Sequence, residues 1–235
     1  MTTDPIDGFF DEINQVSEKI HSTSSISFDD ALSSWGIGLS ELAGIDLSGE
    51  CLQGAKLRGG NLQEANLEGA NLQNADLRDA DLRRADLRDA DLQGADLRGT
   101  KFSKVTHFSG AHFTGTCLAR VNFAGVNLQN ADLQRVYLVE TNLMGANLQG
   151  ANLARAILVG ADLEGANLQN ADLQGANLVL ANLEGANLEN ANLKGAFLVG
   201  ANLEGALVDI VFAKENESEY ELTEVKGVVR IGSLP

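Results

Sequence analysis

The sequence repeats with a period of five residues over most of its length. A large apolar residue, here called the centre of its unit, stands at every fifth position from Leu42 to Phe102 and again from Phe108 to Val208. These runs hold 13 and 21 units, 34 in all, and one inserted residue separates them. The residue before the centre is Asp or Asn in 23 units, and the residue before that is small, mostly Ala. Such regularity indicates an architecture in which each repeat packs only on its neighbours.

A period of five fits neither an α-helix nor an ordinary β-strand. A helix turns about 100° per residue, so leucines five residues apart would wind around it instead of forming one face. A strand places its side chains on alternate faces with a period of two. A coil that turns a corner after every fifth residue does fit, because the centre and the small residue then point inward and the other three outward. Four units close a square, and stacked squares pair like parallel strands about 4.8 Å apart.

The repeated units resemble the pentapeptide-repeat family over about residues 41–210. The resemblance is carried by units such as Ala-Asp-Leu-Arg-Asp at 75–79 and Ala-Asn-Leu-Gln-Gly at 146–150. It implies an all-β solenoid, namely a right-handed quadrilateral parallel β-helix. It also implies a functionally mixed family, which includes dimeric DNA mimics that bind type II topoisomerases as well as regulatory and scaffold proteins. The mimics are less regular and richer in central Phe than this chain.

The N-terminal segment predicts a helix that caps the solenoid. Residues 4–21 have apolar residues at helical spacings of three and four, with Asp4 as the N-cap and Pro5 at the first helical position. The open apolar end of a repeat array needs such a cap. The alternative, a helix on a membrane surface, is disfavoured because residues 1–40 hold seven acidic residues and only one lysine, Lys19, so that anionic lipid would repel them.

The chain is therefore expected to have three parts. They are an N-terminal α-helical cap (1–40), the solenoid (41–210) with a one-residue interruption between 102 and 108, and a C-terminal tail or cap (211–235). The tail either caps the solenoid, swaps onto a second copy or is mobile, and the sequence leaves these alternatives open.

Phenylalanine replaces leucine at four of the five centres around the interruption. These centres are Phe102, Phe108, Phe113 and Phe123. One extra residue breaks a β-ladder locally. We therefore expect a wider square with a bulge at this point.

Charge and hydropathy narrow the classes of partner. The chain carries 33 acidic and 17 basic residues, which argues against direct binding to nucleic acid or membrane phosphates. It has no run of about 18 apolar residues, so we predict no membrane span. The N-terminus is acidic where a signal peptide would be basic, and we therefore expect a cytoplasmic location.

The sequence offers no catalytic or metal-binding constellation. His107, His112 and Cys117 each precede a centre, but spacings of five place them on three successive faces, whereas zinc ligands must converge on one point. Cys51 and Cys117 are separated by three squares and one face, about 14 Å or more, which is too far for a disulfide. The nucleophile-elbow, Walker and Cys-x-x-Cys motifs are missing. We predict a non-enzyme without a cofactor or metal.

Residues 20 apart in sequence lie above one another in successive coils, so the sequence gives a map of the outward side chains on each of the four faces. On the face of centres 118 to 198, the outward positions change from polar to apolar. This apolar strip consists of Tyr137, Val139, Ile157, Val159, Val179, Leu180, Phe197 and Val199. A contiguous apolar patch usually marks an interface, so we expect a homodimer or another protein partner here. The alternative is that the C-terminal tail covers the strip.

Three further columns follow from the same maps. Gln53, Gln73 and Gln93 predict an amide ladder that is hydrogen-bonded along the stack. The Arg58, Arg78 and Arg98 column lies beside Asp76, Asp79 and Asp96, which predicts a neutralised face. The acidic column, defined as Glu164, Glu184 and Glu204 with Asp162 beside it, is the candidate surface for imitating DNA.

Charge density separates two functional classes. The acidic column offers about one charge per 4.8 Å, whereas duplex DNA has one per 1.7 Å or so. The sequence therefore favours a non-catalytic protein-interaction, scaffold or regulatory module that presents flat solenoid faces to an unidentified protein. The alternative is a DNA-mimic regulator of a type II topoisomerase, gyrase.

Overall fold

A computed structural model describes residues 27–209 and 228–230 of the chain. Helix α1 (Phe28–Trp35) and a 3-10 turn (Leu39–Glu41) precede the solenoid. Its regular strands are β1 (Asn187–Leu188), β2 (Leu207–Asp209) and β3 (Val228–Arg230). The helix predicted over 4–21 lies outside the described residues.

The solenoid is built from single β-bridges that stack the coils in parallel. At most centres, the residue before the centre pairs with its equivalent one coil further on, as Asp46 does with Asn66. The Leu47 N–H donates to the Asn66 carbonyl at 2.7 Å, and the Asn66 N–H donates to the Ile45 carbonyl at 2.8 Å. Because four units separate the paired residues, the coil has four faces. We label them A to D in chain order, beginning with the faces centred on Leu42, Leu47, Leu52 and Leu57.

Each face ends in a tight turn formed by the two residues after the centre. The N–H of the next small residue donates to the carbonyl of the centre, for example from Ala55 to Leu52 at 3.0 Å. The second turn residue has a positive φ, as in Gly54 with φ 70°. A type II turn requires this conformation, which glycine and asparagine adopt most easily. The frequent glycines of the sequence are therefore corner residues.

The inside of the coil is filled by the centres and the small residues. Leucine centres such as Leu168 are fully buried, and so are the alanines beside them. Where Thr replaces Ala, its hydroxyl is buried but donates to a carbonyl of the preceding coil, from Thr106 to Leu82 at 3.0 Å and from Thr141 to Leu118 at 2.8 Å. A buried hydroxyl with a partner avoids the desolvation cost of an unpaired one.

The inserted residue lies in the corner that joins face A to face B. Asp81 pairs with Lys101, 20 residues on, whereas Asp86 pairs with His107, 21 residues on. The corner moves to residues 103–106, and within the described residues face A has no bridge between Lys101 and Asn122. This local break in the ladder is what a one-residue bulge produces.

Aromatic rings fill the core beside the broken rung. The Phe102 and Phe123 rings stack with their centroids 5.0 Å apart, and Phe108 meets both rings edge-on. Phe108, Phe113 and Phe123 are completely buried.

Helix α1 packs on the N-terminal end of the solenoid. Phe28 and Leu32 are buried in the same apolar core as the centres. The Asp29 carboxylate accepts the backbone N–H of Lys56 at 2.9 Å, which ties the helix to the first coil of face D. The Ser27 hydroxyl accepts the N–H of Asp30 and caps the helix. These contacts are compatible with a capping role for the N-terminal region, which stays a prediction.

At the C-terminal end, the described part of the tail lies along face B. Strand β2 pairs in parallel with β1, and β3 pairs antiparallel with β2, with Val208 opposite Val229. Strand β3 therefore adds a final antiparallel strand to the sheet of face B, beyond its last described coil. Faces B and D are opposite sides of the coil.

Candidate interaction surface

The structure places all eight residues of the apolar strip on face D or its corner. Bridges join Cys117 to Tyr137, Tyr137 to Ile157, Ile157 to Asn177 and Asn177 to Phe197. The most exposed side chains of the strip are Tyr137 (51%), Phe197 (58%), Val199 (62%) and Leu180 (66%). Val139, Ile157, Val159 and Val179 are half-buried between them. The strip is therefore a continuous outward surface over four coils.

Leu180 occupies a conformation that disfavours its own side chain. It is the second turn residue at the corner between faces D and A, with φ 59°. Its side chain extends over Gly200, so that a Cβ at position 200 would lie 2.7 Å from Leu180 Cδ2. The left-handed conformation costs a non-glycine residue about 1–2 kcal/mol. Twelve other non-glycine residues of the described chain also have a positive φ, so this conformation is imposed by the coil, and the feature peculiar to Leu180 is its exposed apolar side chain.

Replacing Leu180 by Gly is expected to raise the free energy of unfolding by about 1 kcal/mol, because glycine adopts a positive φ without strain. Urea denaturation would measure the change in the Val159→Asp/Val179→Asp background, which is expected to be monomeric, so that dimerisation does not contribute. Leu180→Ala is the matched control, since it removes the side chain but keeps the strained backbone. A Leu180→Gly variant no more stable than Leu180→Ala would contradict the claim that the positive φ at this corner costs free energy.

The arginine column lies directly beneath the apolar strip on the same face. The bridge between Asp96 and Cys117 continues face D across the interruption. The N-terminal half of the face therefore presents Arg78 and Arg98 beside Asp76 and Asp96, and the C-terminal half presents the strip. The arginine column and the apolar strip are separate predictions from the sequence, and the structure places both on face D.

Each Asp-Leu-Arg unit forms an ion pair over the outward side of its own leucine. Arg78 donates to both oxygens of Asp76, through Nε at 2.7 Å and Nη2 at 2.5 Å. This hydrogen bonding lowers the pKa of Asp76 to about 2, although burial acts in the opposite direction. The pKa of Asp96 is lowered in the same way by Arg98. The predicted neutral face is thus neutralised mainly within each unit.

The Asp81 and Asp86 carboxyls have lowered pKa values as well. At Asp81 the main cause is the hydrogen bond from Arg83. At Asp86 burial acts to raise the pKa, but the hydrogen bonds and charge of Arg88 outweigh it.

We expect the melting temperature of the protein to fall between about pH 4 and pH 2. The folded pKa values of these carboxyls lie below the unfolded value of about 3.9, so their contribution to stability is complete above pH 4. It is lost as the pH falls through the folded values, which reach about 2 at Asp76. Calorimetric melts over this range should show a shallower dependence for Arg78→Gln/Arg98→Gln. An equally steep dependence would mean that other carboxyls govern acid unfolding.

The acidic column is also present, on face A, the face that follows D. Bridges stack Asp162 between Asn142 and Asn182. Glu164, Glu184 and Glu204 are exposed. No basic side chain of the described residues lies within 4.0 Å of these four carboxylates. The column therefore presents uncompensated negative charge.

The predicted glutamine ladder on face C is wrong. Gln73 donates to the Asp91 carboxylate at 2.6 Å instead of to another glutamine, because a charged acceptor binds an amide more strongly than a neutral one. An amide ladder does form on face B, where Gln129 donates to Gln149 at 3.2 Å and Gln149 to Gln169 at 3.3 Å. The sequence signal was the column of Asn rather than Asp beside these glutamines.

The histidines and cysteines do not converge. His107, His112 and Cys117 lie on faces B, C and D, and no group of three potential metal ligands occurs within the described residues. Cys51, on face C, and Cys117 are exposed free thiols. Among the residues that the structure describes, no helix is long and apolar enough to cross a bilayer.

A four-sided coil of five-residue units with a Leu and Ala interior defines the class of pentapeptide β-helices. The family pattern described as "Pentapeptide repeats (8 copies)" matches residues 51–89, 65–103, 106–145, 146–185 and 180–207. The chain therefore belongs to the pentapeptide repeat family. The predicted right-handed quadrilateral β-helix is confirmed.

Solved structures of other family members are similar to the chain. QnrB1, described as a plasmid-mediated fluoroquinolone resistance protein, is 22% identical with a TM-score of 0.55, over 70% of this chain and 86% of that one. HetL, a pentapeptide repeat protein involved in heterocyst differentiation regulation in the cyanobacterium Nostoc sp. strain PCC 7120, is 29% identical with a TM-score of 0.39, over 78% and 97%. A pentapeptide repeat protein of the Arabidopsis thaliana thylakoid lumen is 34% identical with a TM-score of 0.32, over 49% and 66%. No curated protein sequence matches the chain.

Proposed function

We propose that the chain is a non-catalytic interaction module that pairs with a second copy of itself through face D. The observation that carries this proposal is the exposure of the apolar strip over four successive coils. Each Å² of apolar surface removed from water contributes about 25 cal/mol, so an exposed strip favours association. A two-fold dimer buries the same patch twice and leaves no open copy of it for further growth.

The position of the tail favours a second copy over the tail as the occupant of the strip. Asp209 and Val228, which flank residues 210–227, pair with each other on face B. Face B is the side of the coil opposite the strip. A second copy, in contrast, brings a strip of the same length and the same coil spacing.

The distribution of titratable groups supports a binding role rather than catalysis. The centres and small residues fill the inside of the coil, where Glu50 is the one buried acidic side chain of the described residues, and the acidic, basic and thiol side chains named above point outward from all four faces. An active site needs an acid, a base or a nucleophile that converge on one reacting atom. Side chains spread along a rod are suited to recognition of another surface.

Light scattering of the purified full chain tests the dimer. We expect a molar mass of twice the 24.9 kDa of one chain at micromolar concentration. The two-fold contact predicts no larger species. A single chain mass at every concentration would contradict the proposal.

The acidic column supports a second candidate function, imitation of duplex DNA towards a type II topoisomerase. Glu164, Glu184 and Glu204 are exposed and unneutralised within the described residues. Their spacing of about 4.8 Å provides a lower charge density than DNA, which ranks this function second. It predicts inhibition of gyrase supercoiling that Glu164→Gln/Glu184→Gln/Glu204→Gln abolishes. Unchanged supercoiling with excess protein would exclude this candidate.

A further inference from the structure

Face D presents two columns of outward side chains, one formed by the residues before the centres and one by the residues after them. Each coil contributes one residue to each column, which defines a level, and at most levels the two residues differ in chemistry. The column before the centres reads Asp76, Asp96, Cys117, Tyr137, Ile157, Asn177 and Phe197. The column after the centres reads Arg78, Arg98, Ala119, Val139, Val159, Val179 and Val199. Acid thus lies beside base in the N-terminal half of the face, and Tyr137, Ile157 and Phe197 each lie beside a smaller valine in the C-terminal half.

A two-fold axis parallel to the rods would make these columns face each other. This rotation reverses left and right but keeps every residue at its level. The first column of one copy then faces the second column of the other. Asp76 lies opposite Arg78 of the second copy, Tyr137 opposite Val139, and Phe197 opposite Val199. Face D is complementary to itself in this arrangement over the seven levels from Leu77 to Leu198.

The antiparallel arrangement lacks this complementarity. A two-fold axis across the rods makes each column face itself in reverse order. With the strips centred on each other at Leu158, the levels of Arg78 and Arg98 extend beyond the end of the second solenoid. The contact then covers the five levels from Leu118 to Leu198, about 19 Å at the strand spacing. The complementary part of the parallel contact covers seven levels, from Leu77 to Leu198, about 29 Å.

We infer that two copies pair in parallel and in register through face D, from the level of Leu77 to that of Leu198, about a two-fold axis along the rods. This inference rests on the proposed dimer and adds the orientation and the charged half of its interface. Specific interfaces bury at least about 1,000 Å² in total, and the longer parallel contact is closer to that requirement. Charge complementarity in the N-terminal half fixes the register, because a shift by one column would place like charges together.

The charged levels are compatible with close approach of a second copy. Each arginine keeps its own aspartate, as in the 2.5 Å pair of Arg98 with Asp96, and the second copy adds the opposite pair across the contact. The result is a square of four alternating charges. The lowest level is the exception, because Lys56 would lie opposite Arg58 of the second copy. Each of these charges is balanced within its own chain, by Asp29 at 3.9 Å and Asp79 at 3.1 Å.

The native thiol on face D provides a direct test of orientation. In the parallel dimer the two Cys117 residues lie at the same level, offset by two residues along the face and by one sheet separation of about 10 Å, or about 12 Å in all. In the antiparallel dimer they are four levels apart along the rod, which gives about 22 Å. Cys51→Ser leaves Cys117 as the only thiol. A short bismaleimide should then link Cys117 to Cys117 in most of the protein.

A second single-thiol protein distinguishes the two orientations in one mixture. Cys51→Ser/Cys117→Ser/Val199→Cys carries its thiol at the other end of the strip. After subunit exchange, the parallel dimer links position 117 to 117 and position 199 to 199, and never 117 to 199. The antiparallel dimer gives the reverse pattern. Mass spectrometry of the linked peptides reads the result.

The outcomes separate this inference from the proposed function. Links between 117 and 199, or a dimer by light scattering that gives no 117 to 117 link, would overturn the parallel pairing and leave the dimer. A monomeric mass together with no link would overturn the dimer itself. Arg78→Glu/Arg98→Glu gives an independent reading, since it should weaken the parallel dimer at least tenfold and leave an antiparallel one unchanged. Circular dichroism would check that the Arg78→Glu/Arg98→Glu variant is folded.

Discussion

Replacing Leu168 by Asp should unfold the solenoid at neutral pH. Leu168 is completely buried at the middle of face B, and its N–H donates to the Asn187 carbonyl at 2.7 Å. A carboxylate at this position would have no partner, and an uncompensated buried charge costs about 3–5 kcal/mol. The substitution also loses the burial of the leucine, about 1.5–3 kcal/mol. Together these costs are comparable to the whole stability of an ordinary domain, about 5–15 kcal/mol.

Circular dichroism and urea denaturation would measure this effect. The matched control is Gln169→Ala, the next residue along the chain, whose side chain points outward. It donates to Glu189 at 3.0 Å and accepts from Gln149 at 3.3 Å, so its loss should cost at most about 1–2 kcal/mol. A Leu168→Asp variant as stable as Gln169→Ala would contradict the assignment of inward and outward positions.

The second large effect is expected on association. Val159→Asp/Val179→Asp should convert the dimer into a folded monomer, because it brings four carboxylates into an apolar contact. The inward neighbours Leu158 and Leu178 are untouched and stay fully buried. Light scattering should give one chain mass, and circular dichroism should be unchanged.

A matched control separates the position of the charge from its amount. Gln134→Asp/Gln174→Asp adds the same charge at the equivalent outward positions of face C, and should leave the dimer intact. A Val159→Asp/Val179→Asp variant that still dimerises would defeat the proposed interface. A monomeric wild type whose Val159→Asp/Val179→Asp variant loses thermal stability would instead place the tail, 211–235, on the strip.

The sequence predicts the coil well because every unit repeats one backbone conformation. Once Leu47 and Leu67 are recognised as equivalent, the inward direction of all the other centres follows. The same repetition also predicts the level of every outward residue, which is how the strip was found. The repetition also places Leu180 at the second turn position of its unit, where the backbone φ is positive.

Side-chain partners were predicted less well, because they depend on competition between near neighbours. Gln73 has both another glutamine and Asp91 within reach, and the carboxylate wins. Arg78 was expected to lie among several aspartates, but it pairs chiefly with Asp76 of its own unit. Helix α1 lies inside the predicted helical cap of 1–40, but its bounds do not follow from the sequence pattern, in which the clear helical spacing is that of 4–21. Outside the repeat, no equivalent unit indicates where a helix begins and ends, so its bounds are harder to predict.

Small-angle X-ray scattering of the wild-type protein tests the central claim, side-by-side pairing through face D, most directly. The 34 units make a rod about 40 Å long at the strand spacing. Side-by-side pairing predicts twice the chain mass, a larger cross-section and a maximum dimension well below twice that of the Val159→Asp/Val179→Asp monomer. A doubled mass with nearly twice the maximum dimension and an unchanged cross-section, as in end-to-end stacking, would contradict the claim, and so would the mass of a single chain.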